Sequence, residues 1–65
     1  NEMTDAKAIL EGLSEAQKRN IDGAWYGPRG WRVPNASDPL HRIGVTSGTR
    51  LTGLGLQVRA LIEKP

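Results

Sequence analysis

Apolar residues recur at helical spacing near both ends of this chain and lose that spacing in the middle. Ala6, Ile9, Leu10 and Leu13 follow one another at three and four residues, the stripe of an amphipathic helix. Thr4 is placed to cap it, Asp5 sits where the positive end of the helix dipole favours an acid, and Asn1 to Met3 are expected to fray. Gly12 weakens the last turn, so this helix ends near Leu13. Ser14-Glu15-Ala16-Gln17 then reads as a capping box, opening a short helix from Glu15 to about Ile21 that stops at Asp22-Gly23. Its expected inner residues are Ala16 and Ile21, with Lys18 and Arg19 pointing out. Two helices joined at Leu13-Ser14 with almost no linker must turn sharply, as the first two helices of a helix-turn-helix unit do.

The second periodic stretch begins at Leu51. Thr52 is a good N-cap, and Leu51 and Leu56 have the spacing of a hydrophobic staple. Leu54, Val58, Leu61 and Ile62 form the apolar stripe, which leaves Gln57, Arg59, Glu63 and Lys64 to face water. Gly53 and Gly55 weaken the first turn by up to about 1 kcal/mol each relative to Ala. Glycines in that place predict a backbone packed close against a neighbour.

Between these ends the chain is punctuated by Gly23, Gly27, Pro28, Gly30, Pro34 and Pro39. Ala24-Trp25-Tyr26 and Trp31-Arg32-Val33 flank a turn signal and read either as a small hairpin or as a loop with short extended pieces, the second being favoured. Asp38-Pro39-Leu40 is a helix start with Asp at the cap and Pro first, and Gly44 is a left-handed stop, so that helix runs only from Pro39 to Ile43. Thr46 to Thr49 make a turn between Gly44-Val45 and Thr49-Arg50-Leu51, the stub of a β-ribbon.

Composition narrows the class. The sequence has 65 residues, no Cys, one His and no Phe. It is expected to form one domain over residues 1–65, of modest stability because a chain this short buries only about 60% of its unfolded surface. Disulfide and thiolate–metal staples are unavailable, and scattered carboxylates with a lone His offer no metal-ligand spacing, so neither metal nor cofactor is expected. Trp25, Tyr26 and Trp31 beside Arg29 and Arg32 could form a base-stacking or protein-binding platform. With no Phe, however, both Trp residues are assigned to the core, and Tyr26 is the aromatic most suited to the surface. No apolar run approaches the ~18 residues of a membrane span and no signal-peptide pattern opens the chain, so a cytoplasmic protein without a membrane partner is expected. Charge is unevenly placed. Residues 1–15 hold Glu2, Asp5, Glu11 and Glu15 against Lys7, a net −3, and the remainder sums to +5 within a total of +2. Such a bias points toward an acidic partner, with nucleic acid the commonest.

The segment Leu51-Thr52-Gly53-Leu54-Gly55 resembles the L-T-x-x-G entry to the last helix of winged helix-turn-helix domains of the MarR type, and Leu40-His41-Arg42-Ile43-Gly44-Val45 is similar to the end of their recognition helix. The likeness spans residues 40–62. It implies a helix-dominated α+β, winged-helix-like domain with three to four short helices and a ribbon of at most two or three strands, in which the first and last helices pack through Ile9, Leu10 and Leu13 against Leu54, Val58 and Leu61. It also implies duplex DNA binding, transcription regulation and a possible homodimer. The sequence departs from that pattern where DNA is read. Pro39 and Gly44 clamp the recognition helix to one or two turns, against about three in such domains, and the wing is cut down.

The basic residues Lys18, Arg19, Arg29, Arg32, Arg42 and Arg50 are therefore the candidate phosphate contacts, with His41 and Arg42 nearest the bases. The bland reading of the same set is a solvated face. No catalytic residue is expected: Ser37, Asp38 and His41 lack a nucleophile-elbow pattern, and Gly53-Leu54-Gly55 lacks the preceding strand and third glycine of a dinucleotide site. The rival function is a protein-interaction module. Tiny cysteine-free chains of this kind resemble phage and mobile-element accessory proteins, including anti-CRISPR proteins that inhibit a host protein complex.

Overall fold

A computed structural model describes the backbone of residues 2–62 and the side chains of residues 5–62. Helices α1 (Glu2–Glu11), α2 (Glu15–Asp22), α3 (Asp38–Arg42) and α4 (Gly53–Leu61) surround strands β1 (Trp25–Gly27), β2 (Gly30–Arg32), β3 (Thr46–Ser47) and β4 (Arg50–Leu51). The architecture is α+β, with one antiparallel sheet in the order β1-β2-β4-β3. That is a four-stranded sheet rather than the two or three strands expected. The extra strands arise because the aromatic segment forms the hairpin that sequence reasoning ranked second, and the hairpin then docks on the ribbon.

Local chemistry sets most helix ends. Ser14 Oγ accepts from Gln17 N at 3.2 Å while Gln17 Oε1 accepts from Ser14 N at 2.8 Å, a complete capping box. Helix α1 already runs from Glu2, so Thr4 lies inside it rather than at its cap. Ser37, not Asp38, holds the cap position of α3, with no side-chain cap bond; Pro39 occupies the first turn and Gly44, at φ +87°, ends the turn that follows. In the hairpin, Pro28 fixes φ near about −65° and Gly30 takes φ +91°. No described non-glycine residue has positive φ, so Gly30 alone supplies the left-handed step that turns the chain back.

Leu51 and Thr52 tie three elements together. Thr52 Oγ1 accepts from Gly55 N at 3.1 Å, capping α4, and donates to Gly44 O at 2.6 Å. Its backbone N donates to Val45 O at 3.1 Å, which fixes the start of α4 against the chain between α3 and β3. Gly55 packs directly there, since a Cβ on it would overlap the Val45 carbonyl oxygen and lie 2.6 Å from Leu51 Cδ1. The close approach expected of the glycine pair thus belongs to Gly55. Around Gly53 there is open space.

The core comprises Ala6, Leu13, Ile21, Ala24, Val33, Leu40, Val45, Leu51 and Val58, with Ile9, Leu10, Leu54 and Leu61 packed on it. Helices α1 and α4 meet as expected, with α2 also against α4. Asn20 pins α2 to the loop after β2: its Nδ2 donates to Asn35 O at 2.9 Å and its Oδ1 accepts from Asn35 N at 3.1 Å. Four expectations fail. Ala16 is exposed, because only Ile21 of α2 reaches the interior. Gln57 and Arg59 are half-buried rather than solvated, and Arg59 lies over the Trp31 ring, 4.8 Å from its centre. Trp25 is 51% exposed instead of in the core. Glu63 and Lys64 fall outside the described residues.

Candidate functional site

Strand register sorts the sheet into two faces, because residues directly opposite each other across neighbouring strands project to the same side. Trp25 stands opposite Arg32, Arg32 opposite Arg50, and Arg50 opposite Ser47, so one row crosses all four strands. Trp25, Arg50 and Ser47 are exposed and Arg32 is half-buried, which makes this the open face. The next row turns the other way. In it Leu51 pairs with Thr46 at 4% and 2% exposure, and Tyr26 with Trp31 toward the outer edge.

Two arginines directly opposite each other are an unfavourable pair in a sheet. Arg32 is steadied by a bond from its Nη2 to Thr49 Oγ1 at 2.6 Å, and Arg50 projects freely into solvent. Their row ends on the half-exposed Trp25 indole, whose Nε1 edge leans along its strand to within 3.7 Å of where a Gly27 Cβ would sit. Arg29 is exposed at the tip of the same hairpin. Trp31 is engaged on its other contacts: Tyr26 meets it edge-on, with centres 5.7 Å apart and planes at 65°, and Arg59 stacks on it.

The remaining candidates lie elsewhere. His41 is exposed on α3 and its Nδ1 accepts from Gly48 N at 3.4 Å, which places α3 beside the β3–β4 turn. Arg42 is paired with Asp38, Nε to Oδ2 at 2.9 Å, in a solvent-exposed (i, i+4) bridge. Lys18 and Arg19 line a groove between α1, α2 and α4, floored by Leu10, Leu61 and Ile62. That groove is charge-balanced, since Lys7, Lys18 and Arg19 share it with Glu11, Glu15 and Asp22, and Lys18 Nζ lies 3.5 Å from Glu15 Oε1.

The structure therefore brings Arg32 and Arg50 together, with Arg29 at the hairpin tip, and separates Lys18 and Arg19 into a different surface. It adds Trp25, which sequence reasoning placed in the core. No local signal marked it: alternation sends Trp25 and Tyr26 to opposite faces, and with Tyr26 expected at the surface it argued for Trp25 inside, whereas both are exposed, Tyr26 at 72%. Among the described residues, no group of three His, Asp or Glu side chains is arranged to hold a metal ion, and no helix is long and apolar enough to cross a membrane. Compared with known proteins, the chain matches no family model, no curated protein and no solved structure.

Proposed function

We propose that this chain is a small, non-enzymatic nucleic-acid-binding domain that contacts phosphates through arginines of the open sheet face. The observation that carries this reading is the Trp25–Arg32–Arg50 row, which crosses three strands with Trp25 and Arg50 exposed and Arg32 half-buried. Planar guanidinium groups suit phosphate oxygens, and an anion between Arg32 and Arg50 relieves their mutual repulsion. The order α3, β3–β4 ribbon, α4 supports a reduced winged-helix-like arrangement acting in transcription regulation. With α3 only five residues long and Arg42 bound to Asp38, backbone contact outweighs base readout in this reading.

The test is a titration with a mixed-sequence DNA duplex and with single-stranded oligonucleotides over a range of salt concentrations. Binding weakens steeply with salt, and Arg50→Ala reduces the log–log slope by about 1 while the protein stays folded. Arg42→Ala, whose guanidinium is already held by Asp38, changes the slope less. A folded Arg50→Ala protein that binds like the parent removes the sheet face from the reading.

A second reading, an anti-CRISPR-like module that inhibits a host protein complex, is favoured by the brevity of α3. It predicts a stoichiometric protein partner that survives nuclease treatment of a host lysate. The absence of nucleic-acid binding at low salt by folded protein moves the assignment to this alternative.

A further inference from the structure

We propose that the open sheet face takes single-stranded nucleic acid, with an unpaired base stacked on Trp25 and neighbouring phosphates held by Arg32 and Arg50. This rests on the nucleic-acid reading above and specifies its substrate class. Trp25 is 51% exposed and has no ring partner among the described residues, whereas Trp31 is already taken by Tyr26 and Arg59. The indole edge lies over Gly27, its Nε1 3.7 Å from a Cβ built there, and the ground beyond it is open. Gly27 and Gly30 are directly opposite each other, two residues along from Trp25 and Arg32 and so on the same face, and nothing lies within 4 Å of a Cβ built on Gly30. A planar base thus has an aromatic surface to lie on and no side chains from that pair in its way.

Charge lies on the other side of the indole. Arg32 is on the adjacent strand and Arg50 on the one beyond, a span of roughly 10 Å at ordinary strand spacing. Arg29, exposed in the turn between Gly27 and Gly30, adds a third cation on the glycine side. An aromatic platform beside a cationic row is the arrangement by which sequence-tolerant proteins hold single strands. A duplex offers this face only its phosphates, because its bases are stacked on one another inside the helix. The half-exposed indole is then left without a partner, and the five-residue α3 and the two-residue strands of the ribbon are too short to enter a groove deeply.

The test uses fluorescence anisotropy with labelled oligothymidylate and oligouridylate of about ten nucleotides, within the usual span of a small single-strand site, and a mixed-sequence DNA duplex. The full chain and its Trp25→Ala and Trp25→Phe variants are compared, each checked for fold by circular dichroism. The parent is expected to bind the thymidylate or uridylate strand more tightly than the duplex, and the preferred strand tells DNA from RNA. Trp25→Ala is expected to lower single-strand affinity by about 5- to 150-fold, the loss of one base–aromatic stack, and to leave duplex affinity unchanged. Trp25→Phe retains most of the single-strand binding. Tighter binding to the duplex, or an equal effect of Trp25→Ala on both probes, overturns the single-strand assignment and leaves the nucleic-acid reading standing. Failure of every probe to bind at low salt removes both.

Discussion

Replacing Gly55 with Ala pits two opposite effects against each other at one carbon atom. Alanine is favoured over glycine inside a helix by up to about 1 kcal/mol, and it restricts the unfolded chain as well. Against this, the new Cβ would overlap the Val45 carbonyl oxygen and stand 2.6 and 2.9 Å from Leu51 Cδ1 and Cγ. The Leu51 side chain is buried, and the carbonyl accepts the Thr52 N–H that sets the α4 cap, so neither neighbour retreats freely. Overpacking costs roughly 1–3 kcal/mol, and displacing the Val45 carbonyl adds about 1 kcal/mol for its hydrogen bond. After the propensity gain is subtracted, a net loss of about 1–3 kcal/mol remains.

For a domain of this length, total stability is about 3–10 kcal/mol, and each kcal/mol moves Tm by roughly 4–8 °C. Gly55→Ala is therefore expected to lower Tm by about 5–25 °C. Gly53→Ala is the control, because it lies two residues earlier in the same helix, is exposed, and has nothing within 4 Å of its added Cβ. Both changes restrict the unfolded chain alike, so their difference isolates the native contact. Urea and thermal unfolding, followed by far-UV circular dichroism and Trp fluorescence, give the comparison. Gly53→Ala should be neutral or stabilising. If the two variants unfold together, the close approach at Gly55 is not what holds α4 in place.

Two further stability predictions rest on individual polar groups. Thr46 is buried at 2% exposure and, among the described residues, its Oγ1 has no hydrogen-bond partner. Thr46→Val exchanges that hydroxyl for a methyl of similar shape, and the urea midpoint should rise by the equivalent of about 1 kcal/mol. A lowered midpoint would mean that the hydroxyl is satisfied. Ser14→Ala removes the acceptor for Gln17 N and leaves α2, eight residues long, without its cap. The expected cost is about 1 kcal/mol, since a helix this short depends on its ends and on packing. Unaltered unfolding curves would show the exposed box to be dispensable.

The parts of this fold written in local chemistry were legible in the sequence. Ser14-Glu15-Ala16-Gln17 specifies a cap through two bonds within four residues, Thr52 caps α4 through one bond from Gly55 N, and Gly44 takes the left-handed turn foreseen for it. The stripe Ala6, Ile9, Leu10 and Leu13 found its partner on α4, because two amphipathic helices have few other ways to bury their apolar faces. What could not be read was decided by contacts distant along the chain. The pairing of Arg32 with Arg50 joins the aromatic hairpin to the ribbon, and that union determines which side of the hairpin faces inward. Once Trp31 shares the inner row with Leu51, Trp25 must project outward. Arg59 was missed for the same reason. Its helical position lies off the apolar stripe, but Trp31 extends over that flank of α4 and covers the guanidinium.

Energetics argue that the outward side of the hairpin has a role beyond solvation. An indole left half-exposed forgoes burial of roughly 100 Å² of largely apolar surface, worth about 2–3 kcal/mol. That is a substantial share of a total near 3–10 kcal/mol, in a chain with no Phe and only two Trp to build its interior. The same face sets two arginines directly opposite each other in the register, where a single opposite charge would be favourable. Each feature by itself is a tolerable surface accident. Both lie on one cross-strand row, beside a glycine pair that places no side chain over the indole, and on the proposed reading they form a surface that an aromatic, anionic ligand would stabilise. On the proposed single-strand reading, a nucleotide strand supplies both bases and phosphates, and its binding would relieve the apolar exposure and the like-charge repulsion in one step.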